Sequence, residues 1–332
     1  MAGPFAAASA EGGVRAGSQA LALFENPLNA RVLRAHLEGP LRLSELQEKI
    51  GRTAQTTVRA AVTNFCELGA LEKRSVGASS YASATELSRA GRDLLFVAAE
   101  VDAWLRLAPR GPIDPGSEAA RVAVKGLAGG WSSTLMRALA NRSFTLTELA
   151  ELIPDVSYPA LERRVALMRR NGQIEPVEKK GRGTPYRVTD WLRHSIAPLC
   201  AAGRWERWHL AGGGPPVTDV EVEASFLLAL PLAPLPPFAT GACMLAAPTD
   251  PAEPHSGDRR LAGVSVEVAR GKVVTAAPEI DAEPATWVVG APDAWFDFVI
   301  DGRFGDLRIG GANPQLALDL AAGLHLALFG LR

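Results

Sequence analysis

The feature that most constrains this chain is that its first two thirds repeat. Setting Gly69 against Gly172, a shift of 103, aligns Pro27–Glu72 with Gly130–Glu175 without a gap. Arg34, Leu43, Glu45, Leu46, Glu48, Ile50, Val62 and Gly69 then meet Arg137, Leu146, Glu148, Leu149, Glu151, Ile153, Val165 and Gly172. Self-similarity at a fixed offset, with apolar positions in register, marks one supersecondary unit used twice. Two stretches rich in proline and glycine, 108–115 and 211–216, read as linkers. They imply a disordered tail over 1–16, a first domain over 17–108, a second over 117–210 and a C-terminal domain over 217–332.

The element order is the same in both copies. In the first, an amphipathic helix around Asn29–Leu37 precedes a short helix in which Ser44 and Gln47 have capping-box spacing. A third helix, Gln55–Leu68, carries Val58, Val62 and Phe65 on one face and stops at Gly69. Leu71–Val76 and Tyr81–Thr85 alternate about Gly77-Ala-Ser-Ser80 as a hairpin does, and a helix over Leu87–Leu107 closes the unit. The second copy places its helices at Ser132–Leu139, Leu146–Leu152 and Ala160–Asn171. A hairpin from Gln173 to Thr189 and one closing helix, Trp191–His209, follow.

Helix, helix, helix, hairpin, helix is the winged helix-turn-helix order, and here the chain resembles the MarR and HxlR groups of bacterial regulators. The resemblance is carried by Leu146-Thr-Glu-Leu-Ala150, Leu161 to Gly172 and Tyr186-Arg-Val-Thr-Asp190. In the first copy it is carried by Leu43-Ser-Glu-Leu46, Leu68-Gly-Ala-Leu-Glu-Lys-Arg74 and Leu87-Ser-Arg-Ala-Gly-Arg-Asp-Leu94. It covers about 17–210 and implies double-stranded DNA as partner. In such units the third helix enters the major groove, where side chains near its N-terminus reach base edges.

With the apolar stripe turned inward, Gln55, Thr56, Arg59 and Thr63 face out in the first copy. Gln can bond adenine in bidentate fashion, Thr can touch a thymine methyl, and Arg can take guanine or phosphate. In the second copy Leu161, Val165 and Met168 form the inward stripe, leaving Tyr158, Glu162, Arg163, Arg169 and Arg170 outside. Glu162 either accepts from cytosine N4 or pairs with a neighbouring arginine, the commoner arrangement. Lys179, Lys180 and Arg182, interleaved with Gly181 and Gly183, form the strongest DNA signal: cations on a wing supply affinity without sequence information. Lys73 and Arg74 occupy a similar strand in the first copy, whose turn is neutral. Two copies in one chain resemble a dimer made covalent, so the protein is expected to act as a monomeric pseudo-dimer or as a homodimer. Its recognition helices would lie roughly 34 Å apart.

Charge divides along the chain in the same sense. Met1–Gly212 holds 28 basic and 21 acidic side chains, whereas the remaining residues hold 7 and 15, which the net charge of −1 conceals. A basic module facing phosphate and an acidic module with another task fit this split. The three cysteines, Cys66, Cys200 and Cys243, lie far apart, which points to a reducing, cytoplasmic setting. Phe226–Pro248 carries no charge, but Pro231, Pro234, Pro236 and Pro237 exclude a single membrane-spanning helix.

After the second linker, Val220, Val222, Ala224, Phe226, Leu228 and Leu230 alternate with Asp219, Glu221, Glu223 and Ser225, the pattern of a strand wet on one side. Val264, Val266 and Val268 alternate likewise before a turn at Arg270-Gly-Lys272 into Val273–Ala276. Helices are expected over Pro292–Ile300 and from Asn313 to Phe329, the last apolar nearly all round.

This combination looks like the sterol carrier protein fold. The likeness rests on Gly263-Val-Ser-Val-Glu-Val268, Ala285–Gly290 leading to Ala294-Trp-Phe296, Ile300-Asp-Gly302 and Leu307-Arg-Ile-Gly-Gly311. It implies an apolar tunnel for a small apolar or aromatic effector, with Phe226, Phe238, Met244, Trp287, Trp295, Phe298, Leu324 and Leu328 as candidate lining. Pro231–Pro237 departs from the pattern. The fold class expected for the whole chain is mainly α with α+β, two winged helix-turn-helix domains followed by an α+β sterol-carrier-like domain.

Catalytic signatures are missing. The histidines His36, His194, His209, His255 and His325 are scattered, with neither metal-ligand spacing nor a nucleophile elbow, so no metal, cofactor or enzymatic activity is expected. His325 reads as a satisfied core histidine or, if it faces a cavity, as a partner for a ligand hydroxyl; Cys66, on the first recognition helix, reads as a buried, inert thiol more than as a redox switch. The expected function is a sequence-specific transcriptional regulator whose C-terminal domain senses its effector. The alternatives are a carrier or sequestering resistance protein using winged helices for assembly, and a DNA-repair enzyme.

Overall fold

The computed structural model describes residues 15–51, 53–75, 83–130, 133–154, 156–177, 183–249, 260–280 and 284–330. The architecture is mixed α/β: helices and two-stranded hairpins alternate through the first two thirds, and a five-stranded sheet with helices follows. Contacts divide the chain into two units. The first runs to Arg106 and adds Pro112–Gly129 and Ala201–Pro215; the second holds Leu107–Gly111, Gly130–Cys200 and the segment from Pro216 on.

In the first unit α1 (Ser18–Leu23) precedes α2 (Pro27–Ala35), which Asn26 caps by accepting from the Leu28 N–H at 3.1 Å. A 3-10 turn, His36–Glu38, extends α2. In α3 (Leu43–Ile50) the Glu45 carboxylate accepts from the Arg42 N–H at 2.7 Å. The capping pair is therefore Arg42 with Glu45, and not Ser44 with Gln47: the helix begins at Leu43, which puts Ser44 inside its first turn. Next comes α4 (Gln55–Glu67), which buries Val58, Ala61 and Phe65 and leaves Val62 half-buried. Gly69, at φ 69°, ends it, because only there can the Ala70 N–H return to the Phe65 carbonyl at 2.8 Å. Strands β1 (Leu71–Ser75) and β2 (Ser83–Leu87) pair antiparallel, with Leu71 opposite Leu87. Then α5 (Arg89–Arg106) and α6 (Glu118–Lys125) follow.

The second copy starts in the second unit with α7 (Ser133–Asn141), α8 (Leu146–Leu152) and α9 (Tyr158–Asn171), then the strands β3 (Ile174–Pro176) and β4 (Tyr186–Val188). The single closing helix expected over Trp191–His209 is two helices, α10 (Asp190–His194) and α11 (Ile196–His209), parted at Ser195. Pro198 explains the break. It has no N–H for the His194 carbonyl, and its ring crowds that oxygen.

The duplication extends to individual hydrogen bonds. Thr85 exchanges backbone bonds with Leu41, and Tyr186 does so with Phe144. Ser88 Oγ donates to the Gly69 and Ala70 carbonyls at 2.5 and 3.1 Å; Thr189 Oγ1 does the same to Gly172 and Gln173, both at 2.9 Å. Before the hairpins the offset is 103 and after them 101, since Leu71 pairs with Leu87 and Ile174 with Val188. The second hairpin is thus two residues shorter.

The segment expected as a strand after the second linker is a helix, α12 (Asp219–Ala229). Thr218 Oγ1 accepts from the Glu221 N–H at 3.4 Å, while the Glu221 carboxylate accepts from the Thr218 N–H at 2.8 Å, a complete capping box. Alternation holds only as far as Phe226. Phe226, Leu227, Leu228 and Ala229 are all buried in succession, which a strand with one wet face cannot do.

Beyond it the sheet runs in the order β7-β6-β5-β8-β9. Its strands are β5 (Gly241–Thr249), β6 (Arg260–Ala269), β7 (Lys272–Ala277), β8 (Thr286–Val289) and β9 (Arg308–Gly311). Only β5 and β8 pair in parallel. Val264, Val266 and Val268 are buried, as their alternation requires. Between β8 and β9 lies α13 (Pro292–Asp301), and α14 (Pro314–Leu328) ends the described fold. Here α12 packs against β6 and α7, and α14 against α13, β8 and β9. Among the described residues no helix is long and apolar enough to cross a membrane.

Candidate functional sites: two exposed helix faces and an apolar pocket

In the first unit, Gln55, Thr56, Arg59 and Thr63 all point to solvent from α4, because Val58, Ala61 and Phe65 hold the opposite stripe inside. Lys73 and Arg74 are exposed on β1, and Arg74 pairs with Glu86 at 2.7 Å. Cys66 is half-buried, and burial pushes its thiol pKa up, which disfavours the reactive thiolate.

In the second unit, Leu161, Val165 and Met168 are buried, and Tyr158, Glu162, Arg163, Arg169 and Arg170 are exposed along α9. Arg163 Nε donates to the Pro159 carbonyl at 3.2 Å. Glu162 forms no ion pair with a described residue, so the arrangement expected as commoner, pairing with an arginine, does not occur there. No ion pair neutralises Arg163, Arg164, Arg169 or Arg170 among the described residues either. Lys179, Lys180 and Arg182, like the turn Gly77–Ser80 and the tail up to residue 14, lie outside the described residues.

The second unit also holds a half-open apolar pocket. Val222, Ser225, Phe226 and Ala229 of α12 form one wall; Pro292, Trp295, Phe296 and Val299 of α13 form another; Leu324 and Leu328 of α14 and Ala247 of β5 complete those sides. Ile196 and Cys200, from the start of α11, and Val217 close the remaining side. Phe226 and Trp295 meet edge to face, centroids 4.9 Å apart and planes at 76°, an arrangement worth about 1 kcal/mol beyond its area. Trp295 Nε1 donates to the Ala246 carbonyl at 2.9 Å, which fixes the indole in the wall.

Of the expected lining residues, Phe226, Trp295, Leu324 and Leu328 face this pocket. The other four lie elsewhere. Phe298 is buried against Trp295, Phe304 and His325; Met244 is buried in β5; Trp287 stands opposite Gly310 across β8 and β9; Phe238 is 76% exposed. His325 is half-buried, its Nδ1 2.8 Å from the Val299 carbonyl oxygen. Ile196 and Cys200 escaped sequence reasoning because they belong to a helix read as part of another domain.

Two arginines of the second repeat hold the pocket wall α12. Arg193, on α10, donates from one guanidinium nitrogen to the Leu227 and Leu228 carbonyls at 3.1 and 3.4 Å, near the helix C-terminus. Arg137, on α7, forms an ion pair with Glu223. Arg193 is largely shielded from water, so its bonds are worth more than surface ones, whereas Arg137 is 36% exposed and its pair with Glu223 is partly screened.

Among the described residues no group of His, Cys, Asp or Glu is arranged to hold a metal ion. Compared with the models of known protein families and with the curated proteins, the chain matches none.

Proposed function

We propose that this protein is a sequence-specific DNA-binding transcriptional regulator, with two winged helix-turn-helix segments and a sterol-carrier-like C-terminal segment that senses a small apolar or aromatic ligand. The observation that carries the reading is the outward face of α9: arginines without ion-pair partners beside Tyr158 and Glu162, above a fully buried stripe. Such a face suits a groove lined by phosphates, where each neutralised phosphate releases a counterion. The equivalent face of α4 offers Gln55, Thr56, Arg59 and Thr63, residue types that read bases more than they neutralise phosphate.

Effector control follows from how the pocket is walled. Ile196 and Cys200 sit on the helix that continues the second repeat, and Arg193, two residues beyond Trp191 and near β4, holds the end of α12. A ligand that prefers one placement of α12 therefore biases the elements that support α9 and the hairpin.

The test is anisotropy titration of the full chain against fragments of its own genome at several salt concentrations. Specific binding with a steep salt dependence is expected. Arg169→Ala should weaken binding to all sequences and reduce the salt slope by about 1. Arg59→Ala should instead change which sequence is preferred. Weak binding without sequence preference would sink the regulator and leave the sequestering protein as the better reading.

A further inference from the structure

The pocket's chemistry narrows the class of ligand, a step that rests on the effector half of the function proposed above. Its walls come from α11, α12, α13, α14 and β5, and no charged side chain lines it among the described residues. The nearby cations are already committed: Arg193 to the Leu227 and Leu228 carbonyls, Arg137 to Glu223. A carboxylate or ammonium entering this space would lose its hydration and meet no counter-charge.

One hydroxyl-bearing residue stands in the lining, Ser225 of α12. No hydrogen bond joins it to any described group. A serine inside a helix can bond back to a carbonyl of the preceding turn; Ser225 does not, so its hydroxyl is available to a polar group on a guest. Opposite polarity is absent, and the aromatic pair Phe226 and Trp295 offers ring edges and faces to a flat guest.

We infer that the pocket takes an uncharged aromatic or alicyclic molecule bearing one hydroxyl or ketone, with Ser225 Oγ as its hydrogen-bond partner and an anionic analogue excluded.

The experiment is calorimetric titration of the full chain with three probes of one skeleton: 2-naphthol, naphthalene and 2-naphthoate. At neutral pH, 2-naphthol should bind on the order of 100-fold more tightly than 2-naphthoate, because the carboxylate is buried unpaired. Ser225→Ala should weaken 2-naphthol about 5-fold and leave naphthalene unchanged, the loss of one neutral hydrogen bond. Ser225→Thr, which keeps the hydroxyl, should restore 2-naphthol binding, and thermal unfolding of both variants confirms that the fold persists.

Naphthoate bound as tightly as naphthol would overturn the neutral-ligand assignment while the pocket itself stands. Equal losses for naphthol and naphthalene in Ser225→Ala would overturn the role of the hydroxyl. Failure of all three probes to bind would overturn the inference and the effector half of the proposed function together, leaving the DNA titration to decide the rest.

Discussion

The two copies of the repeat agree where the backbone must be satisfied and differ where a partner would touch. Both end the third helix on a glycine with positive φ, Gly69 and Gly172, and both anchor the chain leaving the hairpin with a hydroxyl bonded to two carbonyls. A buried carbonyl without a partner is costly, so these positions tolerate only residues that can pair them. The hairpin faces carry no such constraint. Glu72 stands opposite Glu86 in the first copy, whereas Glu175 stands opposite Arg187 in the second and is bonded to it at 2.8 Å. The closing helices differ most. Leu95 and Ala99 of the unbroken α5 correspond to Ile196 and Cys200, which the second copy gives to the pocket. One copy thus keeps the plain scaffold, and the other has been joined to a cavity.

The largest expected break in the comparison comes from exchanging Gly91 for its counterpart. A Cβ at Gly91 would lie 2.1 Å from the Ala70 carbonyl oxygen, yet the matching residue of the second copy is Leu192, fully buried. The second cap is also longer, 3.4 Å from Thr189 Oγ1 to the Leu192 N–H against 3.0 Å in the first. Gly91→Leu should therefore destabilise the first unit by more than about 3 kcal/mol, above the usual range for overpacking. A chemical-denaturation midpoint close to that of the natural protein would show the two helix starts to be interchangeable.

Glu206 gives the next effect, and it belongs to the first unit alone. Its carboxylate is buried and accepts from the Gly17 and Ala20 N–H groups at 2.7 and 2.8 Å; burial outweighs those bonds and pushes its pKa up to about 7. The folded protein therefore holds this proton where the unfolded chain, titrating near 4.5, has released it. The stabilisation is complete below the unfolded value and fades as pH rises to about 7, a change of about 3 kcal/mol. Amide exchange at Ala20 should accelerate across that window beyond its intrinsic pH dependence, and Glu206→Gln should flatten the excess. A profile unaffected by the substitution would assign the pH response to other groups.

The smallest effect is at the shared anchor. Ser88→Ala and Thr189→Ala should each cost about 1 to 2 kcal/mol, since each removes a helix cap and a carbonyl partner at once. The first should cost more, because its cap is shorter. Equal losses by calorimetry would mean that cap length does not distinguish the copies.

Much of this was legible in the residues. The third helices, their glycine stops and the hairpins showed themselves because a helical stripe ending in glycine has few other meanings. The helix α12 did not, since eight residues of alternation at its start mimic a strand; Thr218 and Glu221 carried the contrary signal as a capping box. Four of the fourteen pocket-lining residues, Phe226, Trp295, Leu324 and Leu328, were readable as large apolar side chains. Which face of α13 each would occupy was not: Trp295 and Phe298 are three residues apart, yet one lines the cavity and the other fills the core against His325. Ile196 and Cys200 were hidden because packing between distant segments leaves no local pattern.

The bond from Arg193 to the Leu227 and Leu228 carbonyls bears on how such a chain could be cut or recombined. Severing it at the glycine and proline run 211–216 would strand a guanidinium on one fragment and two helix carbonyls on the other. Gly130–Cys200 and the segment from Pro216 on are accordingly expected to stand or fall together, so a fragment starting at Val217 alone should come out insoluble or loosely folded.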